Sequence, residues 1–166
     1  MDITKYDEFR DQMKTGDLLQ WRSNSLIGAA IRWKTKSNVN HSSLVIRLAE
    51  YEGLERRRYT TEALEHGIVL NLLSRRLEQF DGEVWWYQLK DTWNHARQEI
   101  GADALSMVGI PYDYKSLLYQ LLGKVSADAR ELFCSEYCYL SYGFKGTAPT
   151  PADMPALGIF EQPIKL

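Results

Sequence analysis

The sequence predicts an α+β chain in which a helix bearing two cysteines lies against a sheet, and three patterns carry that expectation. In "HSSLVIRLAEY", Leu44, Ile46 and Leu48 alternate with Ser43, Val45 and Arg47, the period of two that a strand requires. "TWNHARQEIGADALSMVG" instead sets Trp93, Ala96, Ile100, Ala104 and Met107 on one helical stripe. Cys134, Cys138 and Ser141 of "LFCSEYCYLSYGF" form a stripe of small side chains, which lets a helix approach a sheet closely.

The other elements follow in chain order. Ile3, Tyr6, Phe9 and Met13, spaced by three and four, predict an amphipathic helix over residues 3–14 that Gly16 ends. "GDLLQW" reads as a short strand. Ser23 or Ser25 then caps a second helix with apolar positions Leu26, Ile27, Ala30, Ile31 and Trp33, closed by the polar "KTKSNVN". By strand parity His41 shares the side of Ser43 and Val45. "YEGLERRR" is a polar turn, with "ERRR" at its tip, and "YTTEAL" and "GIVLNLL" pair as a hairpin about His66 and Gly67. "RRLEQF" supplies a helical turn or two before the aromatic strand "EVWWYQL", whose rings are core rather than a ligand platform. Gly109 and Pro111 stop the long helix that starts at Thr92, and "YKSLLYQLLGK" predicts another that ends at Gly123. Asp128 and Glu131 have the spacing of a capping pair for a short turn, so the cysteine helix is expected to start at Cys134 and run to Tyr142. Thr150, Pro151 and Asp153 mark one more helix start. With no repeat, linker or low-complexity segment, residues 1–166 read as one domain.

Composition narrows the function classes. A chain of 166 residues can bury roughly 70% of its unfolded surface and needs neither disulfide nor metal for stability. Twenty Lys and Arg against 22 Asp and Glu give a net charge of -2, so no global basic field recruits nucleic acid. "MDITKYDEFRDQMK" lacks the basic start and apolar stretch of a secretory signal, and no run approaches the ~18 apolar residues of a membrane span; a cytoplasmic protein is expected. Two cysteines in a reducing compartment are then free thiols. No Gly-rich phosphate loop or dinucleotide fingerprint is present, so nucleotide chemistry has no support.

The thiols point to nucleophilic chemistry. A helix N-terminus and a nearby imidazole lower a thiol pKa from ~8.5 into the range ~3.5 to 7.5, and free backbone N–H groups there offer an oxyanion site. Cys134, at the expected helix start, meets that description; Cys138, one turn deeper, reads as packing. Among the three histidines, His95 lies on an exposed helix side and His66 in a turn, whereas His41 begins a strand that should be central. A third group must orient the ring, and Glu62 is a carboxylate where a strand normally avoids one. An outward carboxylate on a half-exposed strand accounts equally well for Glu62 on spacing alone. A metal site from His41, Cys134 and Cys138 has zinc-like cysteine spacing, but both cysteines share one helix and no fourth ligand is evident.

Taken in order, "GDLLQW", "NHSSLVI", "TTEAL", "GIPYDY", "FCSEYC" and "TPADM" resemble the circularly permuted papain-like hydrolases of the NlpC superfamily, specifically the YiiX and YebB-like group, over roughly residues 16–155. The resemblance implies an antiparallel sheet or open barrel packed against a helix carrying the nucleophilic cysteine. It implies Cys134 as nucleophile, His41 as general base and acid, and Glu62 as the orienting group, with no cofactor and no metal. Asp17, Tyr112 and Glu136 match further family positions as scaffold or substrate-side residues. Ser42 and Ser43 depart from the pattern, in which a glycine or valine often follows the histidine. The activity implied is amide hydrolysis through a thioester, by a peptidase or amidase that could act on peptidoglycan-type peptides. Two alternatives stand beside it: a lipid-directed acyltransferase or deacylase resembling the distant lecithin:retinol acyltransferase relatives, and a binding module without turnover. A small peptide or acyl substrate is therefore the expected partner. The "LIGAAIRW" helix could supply one wall of an acyl channel, and Arg32, Lys34 and Lys36 could receive an anionic group, although such a run is more often a solvated helix end.

Overall fold

The computed structural model describes residues 2–25, 29, 32–33, 37–64, 66–110 and 128–166, with backbone alone for 128–133. Six strands form one antiparallel sheet: β1 (Leu18–Ser23), β2 (His41–Ile46), β3 (Tyr59–Leu64), β4 (Gly67–Leu72), β5 (Gly82–Tyr87) and the two-residue β6 (Ile164–Lys165). Their order is β4-β3-β2-β1-β5-β6, so β2 and β1 are central, as the alternation around Leu44 predicts. Four α-helices are described: α1 (Thr4–Phe9), α2 (Leu73–Glu78), α3 (Arg97–Ser106) and α4 (Asp128–Ser141).

Strand parity sorts the core into two layers. Leu18, Leu44, Ile46, Ala63 and Ile68 face α3 and α4, where they meet Ile100, Ala104, Tyr137, Tyr142 and both cysteines. Leu19, Trp21, Val45, Val84 and Trp86 face the other way and pack on Tyr6, Met13, Leu73 and Leu77. These side chains are buried in both layers, and each fully buried large apolar side chain contributes about 1.5–3 kcal/mol. The register Trp21↔His41, Leu18↔Leu44 and Leu44↔Thr61 fixes which residues share a face; a slip of one position would exchange the layers.

Gly16 precedes β1 with a φ of 87°, a turn that L side chains rarely adopt. The turn delivers Asp17 into the core. Its carboxylate accepts from Lys14 N, Leu89 N, Trp86 Nε1 and, at 2.8 Å, Arg97 Nη1.

Several expectations are corrected. The helix over residues 3–14 is only the six residues of α1, and Met13 reaches the core after a turn. The helix from Thr92 splits into a 3-10 segment, Asp91–Ala96, and α3, because Asp91, Asn94 and Arg97 bond to one another and Arg97 turns inward to Asp17. The Pro151 segment is also 3-10 (Pro151–Leu157): Pro155 brings no N–H to an α-helical ladder, and Gly158 ends the run. "ERRR" is not all tip, since Arg58 is buried with its guanidinium on the carbonyls of Met13, Glu55 and Asp11. The cysteine helix does not begin at Cys134 but runs continuously over Asp128–Ser141. The helix expected over 114–124 lies outside the described residues, as does most of the one expected over 26–33.

Candidate active site

The site forms at the end of the sheet where β2 begins. His41 is the first residue of β2, and Glu62 stands on neighbouring β3, on the face that β2 gives to Ser43 and Val45. His41 Nε2 and Glu62 Oε2 are 3.0 Å apart. Cys134 belongs to the helix on the opposite face, yet its thiol reaches the His41 ring and hydrogen-bonds to it. His41 can serve both layers because β2 pairs with β3 only over Leu44–Ile46, short of the strand end where His41 stands. With Nε2 on the carboxylate, Nδ1 is the ring nitrogen left for the thiol.

Burial makes these contacts matter. Glu62 is 0% exposed, His41 side chain 16% and Cys134 1%. Burial alone would lower the His41 pKa, but the charge and hydrogen bond of Cys134, and then those of Glu62, overcome it and raise the value from 6.5 to about 9. Burial alone would raise Glu62; the hydrogen bond and charge of His41, followed by those of Arg76, pull it down to about 2. A charged His41 ring paired with an ionised Glu62 is the state these shifts favour near neutral pH. Cys138 is different: burial pushes its thiol well up, so one turn of helix separates a thiol in contact with an imidazole from one packed in the core.

α4 is held by its own rings. Tyr137 Oη donates to Ala104 O of α3 at 3.0 Å, Tyr142 Oη donates to Gly16 O at 2.9 Å, and Ser141 Oγ donates back to Tyr137 O. The aromatic surroundings of the cysteines thus act as struts that fix the helix against α3 and the entrance to β1.

The structure changes one role read from sequence and shows where two other residues stand. Cys134 is the seventh residue of α4, beyond the first turn whose N–H groups are unpaired, so neither a helix N-terminus nor its oxyanion donors are at the thiol. Asp17 is a fully buried scaffold carboxylate between β1, β5 and α3. Glu136 is exposed on α4, away from the buried stripe of Cys134 and Cys138, and Tyr112 lies outside the described residues.

Sequence reasoning missed Arg76 and Asn71. From α2, Arg76 donates through Nε to Glu62 Oε1 at 2.9 Å and through Nη2 to Oε2 at 3.2 Å; Asn71 Nδ2 of β4 adds a bond to Oε1 at 3.2 Å. The available signal was Glu62 itself, because a carboxylate in a buried strand needs a cation, and "RR" follows the hairpin within reach. Ser43 is explained as well: its Oγ accepts from Trp21 Nε1 and Thr60 Oγ1, both at 2.8 Å, which no glycine or valine could do. Among the described residues, no group of three or more His, Cys, Asp and Glu is arranged to hold a metal ion, and no helix is long and apolar enough to cross a membrane.

No protein-family model matches the chain, and no curated protein sequence does. One solved structure that is similar is that of the metalloprotein YiiX from Escherichia coli O157:H7, at 22% identity and a TM-score of 0.57. The match covers 79% of this chain but 65% of the YiiX chain, so this chain spans less than two thirds of that protein. At this identity the shared property is the backbone architecture: the chain has a YiiX-like fold.

Proposed function

We propose that the protein is a cysteine hydrolase that cleaves an amide bond through Cys134, His41 and Glu62, on a circularly permuted papain-like fold. The observation that carries this reading is the His41 ring, joined to Glu62 at 3.0 Å through Nε2 and hydrogen-bonded to the Cys134 thiol. The thiolate attacks the carbonyl carbon, and the tetrahedral adduct collapses as imidazolium gives its proton to the leaving nitrogen. The C–N bond breaks and a thioester remains on Cys134. Neutral His41 then takes a proton from water, the resulting hydroxide attacks the thioester, and the acid leaves as the thiolate re-forms. Glu62 holds the ring throughout and stabilises its charged form. His41, the more open member of the pair, marks the side from which a carbonyl approaches.

The similarity to a protein described as a metalloprotein raises a metal as the alternative use of the same residues. The donors do not fit one. Both Glu62 oxygens already accept from Arg76, and Asn71 and His41 take the remaining directions, so a cation would have to displace a guanidinium.

The test is alkylation of Cys134 by iodoacetamide against pH, read by peptide mapping, in wild type and His41→Ala. Labelling that persists well below about pH 8 and is lost with His41→Ala supports the reading; the profile of an ordinary thiol in wild type overturns it. Turnover of peptide amides rather than acyl esters then separates amidase from acyltransferase.

A further inference from the structure

We infer that Arg76 is a positioning residue of this constellation, its guanidinium fork holding Glu62 in an acceptor-only form that takes the Nε2 proton of His41 and supports the charged ring beside the thiol. The inference rests on the proposed Cys134 and His41 chemistry.

Arg76 meets Glu62 side-on, with two N–H groups on two carboxylate oxygens. Its position is also fixed from behind. The guanidinium carbon lies 4.9 Å from the Trp21 ring centroid and 5.3 Å from that of Phe80, and those two rings are themselves packed edge to face at 5.0 Å. Trp21 in turn is pinned by its bond to Ser43, which also accepts from Thr60. The guanidinium is therefore seated on an aromatic corner whose orientation is set by a buried hydrogen-bond chain.

The consequence is a matter of which group carries the proton. Glu62 is fully buried, and a buried carboxylate without a cation tends to protonate. A protonated Glu62 would no longer stabilise the imidazolium, so the ring would lose its extra proton and with it the charge beside the thiol. The groups bearing on Glu62 are His41 from β2 and Arg76 from α2, with Cys138 of α4 sensing its charge; Asn71 from β4 adds a neutral donor. Arg76 is thus the one cation among these that does not exchange a proton during the proposed reaction. Its side chain is 24% exposed, enough to keep it hydrated at one edge.

The experiment compares the pH profile of Cys134 alkylation in wild type, Arg76→Gln and Arg76→Lys, with thermal unfolding measured alongside. The acid limb is expected to move upward in Arg76→Gln, because a carboxylate that loses an adjacent arginine protonates at a higher pH and then ceases to support the charged ring. Arg76→Lys keeps the charge without the fork and should move the limb less. A purely structural role would lower the unfolding temperature and leave the limb in place. A low wild-type limb that neither variant moves overturns the assignment to Arg76 alone. A wild-type profile like that of an ordinary thiol overturns the thiolate chemistry and the Arg76 role with it. Should Arg76→Gln fail to fold, Arg76→Lys decides: a limb unmoved with the fork removed is a refutation.

Discussion

Replacing Glu62 by Gln changes one atom and should disable the site while leaving its shape. Each carboxylate oxygen faces two donors: Oε1 takes Arg76 Nε and Asn71 Nδ2, and Oε2 takes His41 Nε2 and Arg76 Nη2. Whichever oxygen becomes the amide nitrogen, two hydrogen bonds turn into donor-donor contacts. Hydrogen bonds to charged groups contribute about 1.5–3 kcal/mol each, so the loss is about 3–6 kcal/mol. Arg76 keeps an edge in water and can rehydrate, which favours the lower end, about 3 kcal/mol. For a domain of this size that corresponds to an unfolding temperature lower by about 6–12 °C. The assay is thermal unfolding at neutral pH together with the Cys134 alkylation profile, which should revert towards that of an ordinary thiol. An unfolding temperature within about 2 °C of wild type, together with an unchanged profile, would refute the claim that Glu62 holds the ring.

Four further outcomes follow from the same geometry. Glu62 sits at about 2 against an ordinary 4.5, so its stabilisation is complete above the ordinary value and lost as pH falls towards 2; Glu62→Gln should flatten that acid arm of the unfolding curve. His41 sits at about 9 against 6.5, so its contribution is complete below the ordinary value and lost as pH rises through 9; wild type, but not His41→Ala, should weaken across that interval in pH-dependent thermal melts. Asp17→Asn leaves Arg97 without its carboxylate in a buried pair and should cost about 3–5 kcal/mol in denaturant unfolding, while the alkylation profile of the folded fraction stays as in wild type; a moved profile would return Asp17 to the substrate side. Cys138→Ala should retain wild-type labelling of Cys134 at a cost of about 1 kcal/mol, and loss of labelling would show that the wrong cysteine had been chosen.

The parts of the molecule legible in the sequence are those that depend on neighbours in the chain. The alternation in β2, the hairpin of β3 and β4 and the aromatic strand β5 are local patterns, and each strand stands where its residues put it. Glu62 was visible as an anomaly because a charge in a strand contradicts its surroundings. Arg76 was not: on its own helix it looks like any solvated arginine, and only the fold brings it to a carboxylate 14 residues earlier. Arg97 and Asp17 repeat the lesson across 80 residues. The start of the cysteine helix differs from expectation because Asp128 and Glu131 read as the cap of a separate short turn, whereas a single helix spans Asp128–Ser141. Capping signals mark where a helix can begin, and longer-range packing decides whether it does.

His41 at the head of β2 draws residues from both sides of the sheet into a single cluster, Cys134 from the α4 layer and Arg76 with Glu62 from the layer of Trp21. The cluster therefore exists only while both layers are docked. An opening that released either one, even with the strands still paired, would separate thiol from imidazole or imidazole from carboxylate. Amide hydrogen exchange in α2 and in α4 should then bracket the conditions under which Cys134 is reactive, with the less protected of the two setting the limit. The site doubles as a sensor of whether the whole domain is assembled.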